Sequence, residues 1–206
     1  MSNPFPVDRT IIPPATFKEI KANTFIYERP NTIPKDWCDE IVRRFEAQPE
    51  HHKKGVIGQQ GGLDTGIKRT MDMVISDKDD WSDIDQVFFR CIGAAMQEMK
   101  QSFPFFTGPF KDLGYQIQRY QPGEFYHWHV DGGSHDFADR QLVAIWYLND
   151  VPVEAGGATQ FLYQDVSVQP EAGKMVLFPP FWTHEHRAQE LTAGVKYIAT
   201  TWVVFR

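Results

Sequence analysis

The sequence predicts an α+β chain, mainly β, in which two supporting helices precede an antiparallel double-sheet jelly roll. Apolar residues recur at helical spacing over 34–47 and again over 81–99. From Leu113 onward, short β-branched and aromatic runs follow one another, divided by Gly, Pro and Asn/Asp. Eight such runs with no helical pattern between them point to two packed antiparallel sheets. A length of 206 residues fits one domain over 1–206, with about 1–110 as helical support and about 113–206 as the jelly-roll core.

Taken in order, residues 1–30 are rich in Pro and polar side chains, with one candidate strand at Ala22–Tyr27. The run Asn31-Thr32-Ile33-Pro34-Lys35-Asp36-Trp37 supplies a capping residue, an early Pro and an acidic first turn. Trp37, Ile41, Val42 and Phe45 then give one apolar face, predicting a helix from Pro34 to Ala47. Residues 49–67 hold Pro49, His51, His52, two Lys and five Gly, the composition of a surface loop. Adjacent histidines cannot easily face one ion, so His51 and His52 read as solvated. Thr70–Ile75 is a short strand, and Ile84, Val87, Phe88, Cys91, Ile92, Ala95 and Met96 form the core stripe of a helix over Trp81–Met99. Beyond Phe103-Pro104-Phe105-Phe106 the strands are Leu113–Gln121, Phe125–Val130, Gln141–Leu148, Ala158–Tyr163, Ser167–Val168, Lys174–Phe178, His184–Arg187 and Lys196–Val204.

A net charge of −6 argues against sequence-independent nucleic-acid binding and against a polybasic membrane anchor. Met1–Thr10 shows no secretory signal, and no run approaches the length of a membrane span. Cys38 and Cys91 are too few and too scattered for a disulfide framework or a zinc ribbon. A reducing, cytoplasmic setting is the expectation.

Function is concentrated in Tyr126-His127-Trp128-His129-Val130-Asp131-Gly132-Gly133. In an extended strand His129 and Asp131 project to one face, where an imidazole nitrogen and a carboxylate can converge on a cation. A His-x-Asp pattern alone is common, and a third ligand must come from elsewhere. His184 and His186 both qualify, since strand parity puts them on the same face. Two His and one carboxylate with three positions left open is the facial arrangement of non-haem Fe(II) oxygenases. His135 beside Asp136 lies in a Gly/Ser/Asp turn where neighbouring side chains diverge, and is set aside.

The ordered features Tyr120-Gln121-Pro122-Gly123, Tyr126, His129-Val130-Asp131, Arg140, Tyr147-Leu148-Asn149, Gly156-Gly157-Ala158-Thr159-Gln160-Phe161, Leu177-Phe178-Pro179 and Gly194-Val195-Lys196-Tyr197 with Trp202 resemble the Fe(II)/2-oxoglutarate dioxygenases, specifically the prolyl 4-hydroxylase-like branch. The resemblance covers about Tyr115 to Val204. It implies a double-stranded β-helix, cupin-like, that couples oxidative decarboxylation of 2-oxoglutarate to succinate and CO2 with hydroxylation of a substrate C–H. It implies Fe(II) on His129, Asp131 and His186, dioxygen as co-substrate and ascorbate as a reductant. The family's distal ligand stands ten positions before the basic residue for 2-oxoglutarate, as His186 stands before Lys196. His184 fits the distance from the Pro179 turn better and is kept as the alternative. Lys196 is the cation for the remote carboxylate, with further contacts implied from Tyr120, Tyr147 and Thr159. Trp202, Trp128, His127 and Arg140 are expected around the substrate. Because Asp131 is retained, hydroxylation is implied rather than halogenation.

The branch suggests a peptidyl proline in a peptide or protein, with a free amino acid or another small molecule as the alternative. Two other classes compete. A non-catalytic cupin-like binding module would use the His/Asp face as polar lining. A zinc hydrolase could use the same ligands, but lacks a general base and gives Lys196 no task.

Overall fold

The computed structural model describes residues 16–58 and 61–206; the Met1–Thr10 reading and Gln59–Gln60 of the Gly-rich loop lie outside them. The strands are β1 (Lys18–Glu19), β2 (Tyr27–Arg29), β3 (Lys53–Lys54), β4 (Lys68–Arg69), β5 (Met71–Val74), β6 (Phe110–Asp112), β7 (Gln116–Tyr120), β8 (Phe125–His129), β9 (Arg140–Tyr147), β10 (Thr159–Phe161), β11 (Val166–Val168), β12 (Met175–Phe178), β13 (His186–Ala188) and β14 (Lys196–Phe205). Helix α1 spans Lys35–Glu46 and α2 spans Ser82–Ser102.

Helix α1 buries Trp37, Cys38, Ile41 and Phe45, with Pro34 at its N-cap and no side-chain cap. The Asp36 carboxylate instead accepts from the Trp37 amide at 3.0 Å, in the first turn where negative charge is favoured. Helix α2 buries every member of the predicted stripe and Met99 as well. Both helices pack with one face of a nine-stranded sheet ordered β1-β2-β12-β9-β14-β7-β5-β3, with β6 beside β14. The second sheet has five strands, β11-β10-β13-β8-β4.

Period-two alternation sorts the central strands. On β9, Leu142, Ala144 and Trp146 face the helices, while Val143, Ile145 and Tyr147 face the second sheet. Both faces are apolar because both are covered, so β9 reads as a nearly continuous hydrophobic run. The inter-sheet layer is completed by Phe161, Val166, Val168, Val176, Phe178 and Ile198. This is the jelly roll the sequence predicted, with the helices on one side.

Three boundaries move. The expected strand at Ala22–Tyr27 becomes a turn between β1 and β2, because Asn23 and Phe25 adopt left-handed backbone (φ 63° and 57°). Leu113–Gln121 starts late, at Gln116, because Gly114 turns the chain at φ 77°; a Cβ there would meet the Ser76 side chain at 2.9 Å. The third change is at His184, where Trp182–His184 form a 3-10 turn and β13 begins only at His186. No helix of the described residues is long and apolar enough to cross a membrane.

Candidate metal and co-substrate site

His129 ends β8, His186 opens β13, and the two are direct antiparallel partners. Asp131 follows two residues beyond the strand end. His129 Nε2 lies 3.8 Å from Asp131 Oδ1 and His186 Nε2 lies 3.6 Å from Asp131 Oδ2. All three ligand atoms fall within 4.8 Å of one another. Each imidazole is oriented by a carbonyl two residues back: His129 Nδ1 reaches His127 O at 2.7 Å and His186 Nδ1 reaches His184 O at 3.0 Å. With Nδ1–H donating in both, the two Nε2 lone pairs point at the carboxylate, the tautomer a metal needs.

Electrostatics agree with that state. Burial, reinforced by the nearby His186, pushes the His129 imidazole down to about 3, so it is neutral at ordinary pH. Burial alone would raise Asp131, but His186, His129 and Arg140 outweigh it and hold the carboxyl below its usual value. A carboxylate and two imidazoles converging on one point form a donor set that fits a divalent metal.

His184 is not part of this set. In its 3-10 turn the ring points away, with Nε2 at 2.8 Å from Thr24 O and Nδ1 at 2.9 Å from the Thr183 hydroxyl. The alternative of His184 as distal ligand is therefore corrected: the turn breaks the strand parity that made it equivalent to His186.

A bulge corrects two further expectations. The register shifts between the pairs His186–His129 and Ala188–Tyr126, leaving one residue more on β8 than on β13. Tyr126 and His129 consequently share the inner face, their rings stacked at 3.5 Å and 12°. His127 is exposed, and Trp128 packs outside under the Arg187 guanidinium at 4.7 Å. Neither lines the cavity beside the metal ligands, where the sequence reading expected them. Tyr126 lines that cavity instead, and the sequence reading did not assign it a role. Behind Tyr126, Lys68 sits 5.1 Å over its ring and forms a buried pair with Asp72 at 2.7 Å; Gln116 donates to the same Asp72 oxygen.

The other end of the cavity is cationic. Lys196, only 1% exposed, opens β14 and donates to Gly157 O at 2.7 Å. Its ammonium lies 4.7 Å from the Tyr120 ring and 5.9 Å from the Tyr147 ring. Among the described residues no carboxylate pairs with it, and burial pulls its pKa down to about 7. Tyr147 donates to Thr159 Oγ1 at 2.7 Å, and Tyr120 to Gln118 Oε1 at 3.0 Å. Thr200, on the same cavity, buries a hydroxyl with no partner. Gly157 permits this packing: at φ 71°, a Cβ would meet Leu191 at 3.0 Å and the Lys196 stem at 3.6 Å. A buried cation without a counter-ion and an unsatisfied hydroxyl fit a ligand that brings its own carboxylate.

At the mouth, Trp202 lines the cavity. Arg140 is stacked between Phe137 and Trp202, 4.0 Å from each ring, and donates to Asp131 O at 2.7 Å.

Residues 115–204 match the family model of the 2OG-Fe(II) oxygenase superfamily. The class is thus an Fe(II)- and 2-oxoglutarate-dependent dioxygenase, whose co-substrates are 2-oxoglutarate and O2. Its fold is that of prolyl hydroxylases. A prolyl hydroxylase from Trichoplax adhaerens, in complex with a hypoxia inducible factor oxygen degradation domain peptide fragment, superimposes with a TM-score of 0.76 at 15% identity, over 88% of this chain and 84% of that one. A Pseudomonas putida prolyl-4-hydroxylase gives 0.70 at 21% identity, over 90% and 95%. A viral collagen prolyl hydroxylase from Paramecium Bursaria Chlorella virus-1, in complex with 2-oxoglutarate, gives 0.65 at 17% identity, over 91% and 99%. No curated protein sequence matches the chain.

Proposed function

We propose that His129, Asp131 and His186 hold the Fe(II), that Lys196 anchors the remote carboxylate of 2-oxoglutarate, and that the enzyme hydroxylates a prolyl residue in a polypeptide. The observation that carries this is Lys196 itself. A buried ammonium with no carboxylate partner among the described residues shares one cavity with the three convergent metal donors. Neither a polar-lined binding module nor a hydrolase explains that arrangement.

Each residue has a definable task. His127 O and His184 O fix the imidazoles, so the donor set is organised before metal arrives. Iron, when bound, supplies the redox chemistry that couples 2-oxoglutarate decarboxylation to C–H oxidation, and ascorbate serves as its reductant. A carboxylate arriving at Lys196 holds that group in its charged state and gives the dicarboxylate one orientation. Tyr120 and Tyr147 wall the same end, and Thr159 holds the Tyr147 hydroxyl. Trp202 and Tyr126 line the cavity beside the donor set, an aromatic wall suited to the apolar ring of proline and to keeping water out. Cys38 and Cys91 are free and buried, which supports a reducing, cytoplasmic setting.

Succinate release under Fe(II), 2-oxoglutarate and O2, compared among wild type, His129→Ala, Asp131→Ala and His186→Ala, tests the metal assignment. Wild type should turn over and all three variants should not; equal release from all four would reject it. Mass spectrometry of a proline-containing peptide panel for the gain of one oxygen atom tests the substrate.

A further inference from the structure

The outer face of the five-stranded sheet carries an unusual set of cations. Because His129, Tyr126, His186 and Ala188 face the cavity, their neighbours Phe125, Trp128 and Arg187 face out. Arg69 joins them, as the cross-strand partner of Phe125. The Arg69 guanidinium lies 5.1 Å over the Phe125 ring, and Arg187 lies 4.7 Å over Trp128. Each is steadied through Nε, Arg69 by Thr65 O and Arg187 by Gln160 Oε1, both at 2.8 Å. Strand β8 therefore runs between two guanidinium groups that are already stacked and oriented.

Charge pairing distinguishes these arginines from most of the others. Arg29, Arg43, Arg44 and Arg119 each have a carboxylate within 4.0 Å; Arg90 and Arg140 do not, but neither lies on this face. Among the described residues, Arg69 and Arg187 have none, although acidic residues outnumber basic ones and the net charge is −6. An acid-rich chain that leaves two fixed guanidinium groups unpaired beside its site offers them to carboxylates from another molecule. The buried helix residues pack on the other sheet, so this face is not used by α1 or α2.

We propose that an acidic stretch flanking the target residue of the polypeptide substrate docks here, its carboxylates on Arg69 and Arg187 and its chain over Phe125 and Trp128. This rests on the peptidyl reading above, and it adds the substrate's charge. The contact lies on the far side of β8 from the metal donors, so it adds to affinity and leaves the chemical step alone. A nucleic acid is the less favoured occupant, because the polypeptide reading above gives one no role, and the test below separates the two.

The test uses the full chain and fluorescein-labelled peptides of one length: a proline flanked by Asp and Glu, the same peptide with Asn and Gln, and the acidic peptide with Ala for Pro. Fluorescence anisotropy should show the acidic peptide binding about tenfold more tightly than the amide peptide, with the difference shrinking at high salt. Arg69→Gln and Arg187→Gln should each lose several-fold of that binding, while Arg69→Lys and Arg187→Lys keep most of it. In turnover, the Gln variants should raise KM for the acidic peptide and leave kcat within about twofold. The Ala-for-Pro peptide should bind like its parent. If it binds and no peptide is hydroxylated, the prolyl reading fails and the docking face stands. If peptides are hydroxylated with no preference for acid, the docking face fails and the function stands. Tighter binding of a labelled oligouridylate, lost in Arg69→Gln, would also overturn the proposal.

Discussion

The Tyr126 ring lies flat on the His129 imidazole, 3.5 Å away and tilted by 12°, although the two residues stand three apart on one strand. Only the β8 bulge makes this contact possible, because regular alternation would send them to opposite faces. The stack fixes the plane of an imidazole that His127 O already holds by its Nδ1.

Replacing Tyr126 with Ala should therefore loosen His129 and weaken Mn(II) affinity by about three- to tenfold, the worth of one aromatic stack. Tyr126→Phe keeps the ring and should keep the affinity. Isothermal titration calorimetry on both variants decides, and equal affinities for wild type and Tyr126→Ala would contradict the role.

Lys196→Met should abolish 2-oxoglutarate binding and yet stabilise the ligand-free protein. The folded pKa is about 7, below the unfolded value of about 10.4, so the unfolded chain binds more protons between those limits. Folding stability consequently falls as pH drops from about 10 to 7, by an amount on the order of a few kcal/mol for a buried amine. The Met variant lacks this penalty. Its gain in Tm over wild type should be larger at pH 7 than at pH 9.5, and a reversed order would refute the argument.

The distal ligand is separable from its neighbour by metal content. His186→Ala should lose stoichiometric Co(II) binding, whereas His184→Ala should retain it. Losing the His184 contact to Thr24 O should instead lower stability by about 1 kcal/mol, read by urea unfolding. Loss of Co(II) from both variants alike would return His184 to the site.

Lys68 and Asp72 form an ion pair with side chains 5% and 6% exposed. Removing one partner strands the other, so Asp72→Asn should cost about 3–5 kcal/mol of stability in denaturant titration. The double variant Lys68→Met/Asp72→Leu should cost less than Asp72→Asn alone. Additive losses would show that the two groups do not act as a pair.

Much of the architecture was legible from residue order. The α2 stripe from Ile84 to Met96 is buried as its spacing required, and the eight runs after Leu113 correspond to strands of the roll. Local signals suffice there, because a repeat of 3.6 or 2 residues together with Gly and Pro punctuation specifies an element without reference to its partners. His129, Asp131 and Lys196 could be singled out for the same reason: the chemistry of each side chain and its interval in the chain are sequence properties.

Other features exist only between segments distant in sequence. The bulge that turns Tyr126 inward and Trp128 outward is defined by how β8 pairs with β13, some sixty residues later. The choice of His186 over His184 depends on a 3-10 turn whose histidine bonds Thr24, 160 positions away. That, among the described residues, Lys196 is buried without a carboxylate, and Arg69 exposed and Arg187 half-buried without one, follows from the packing of two whole sheets. Periodicity is a short-range property of the chain, whereas register, burial and charge pairing are sums over contacts that form only when the sheets close on each other.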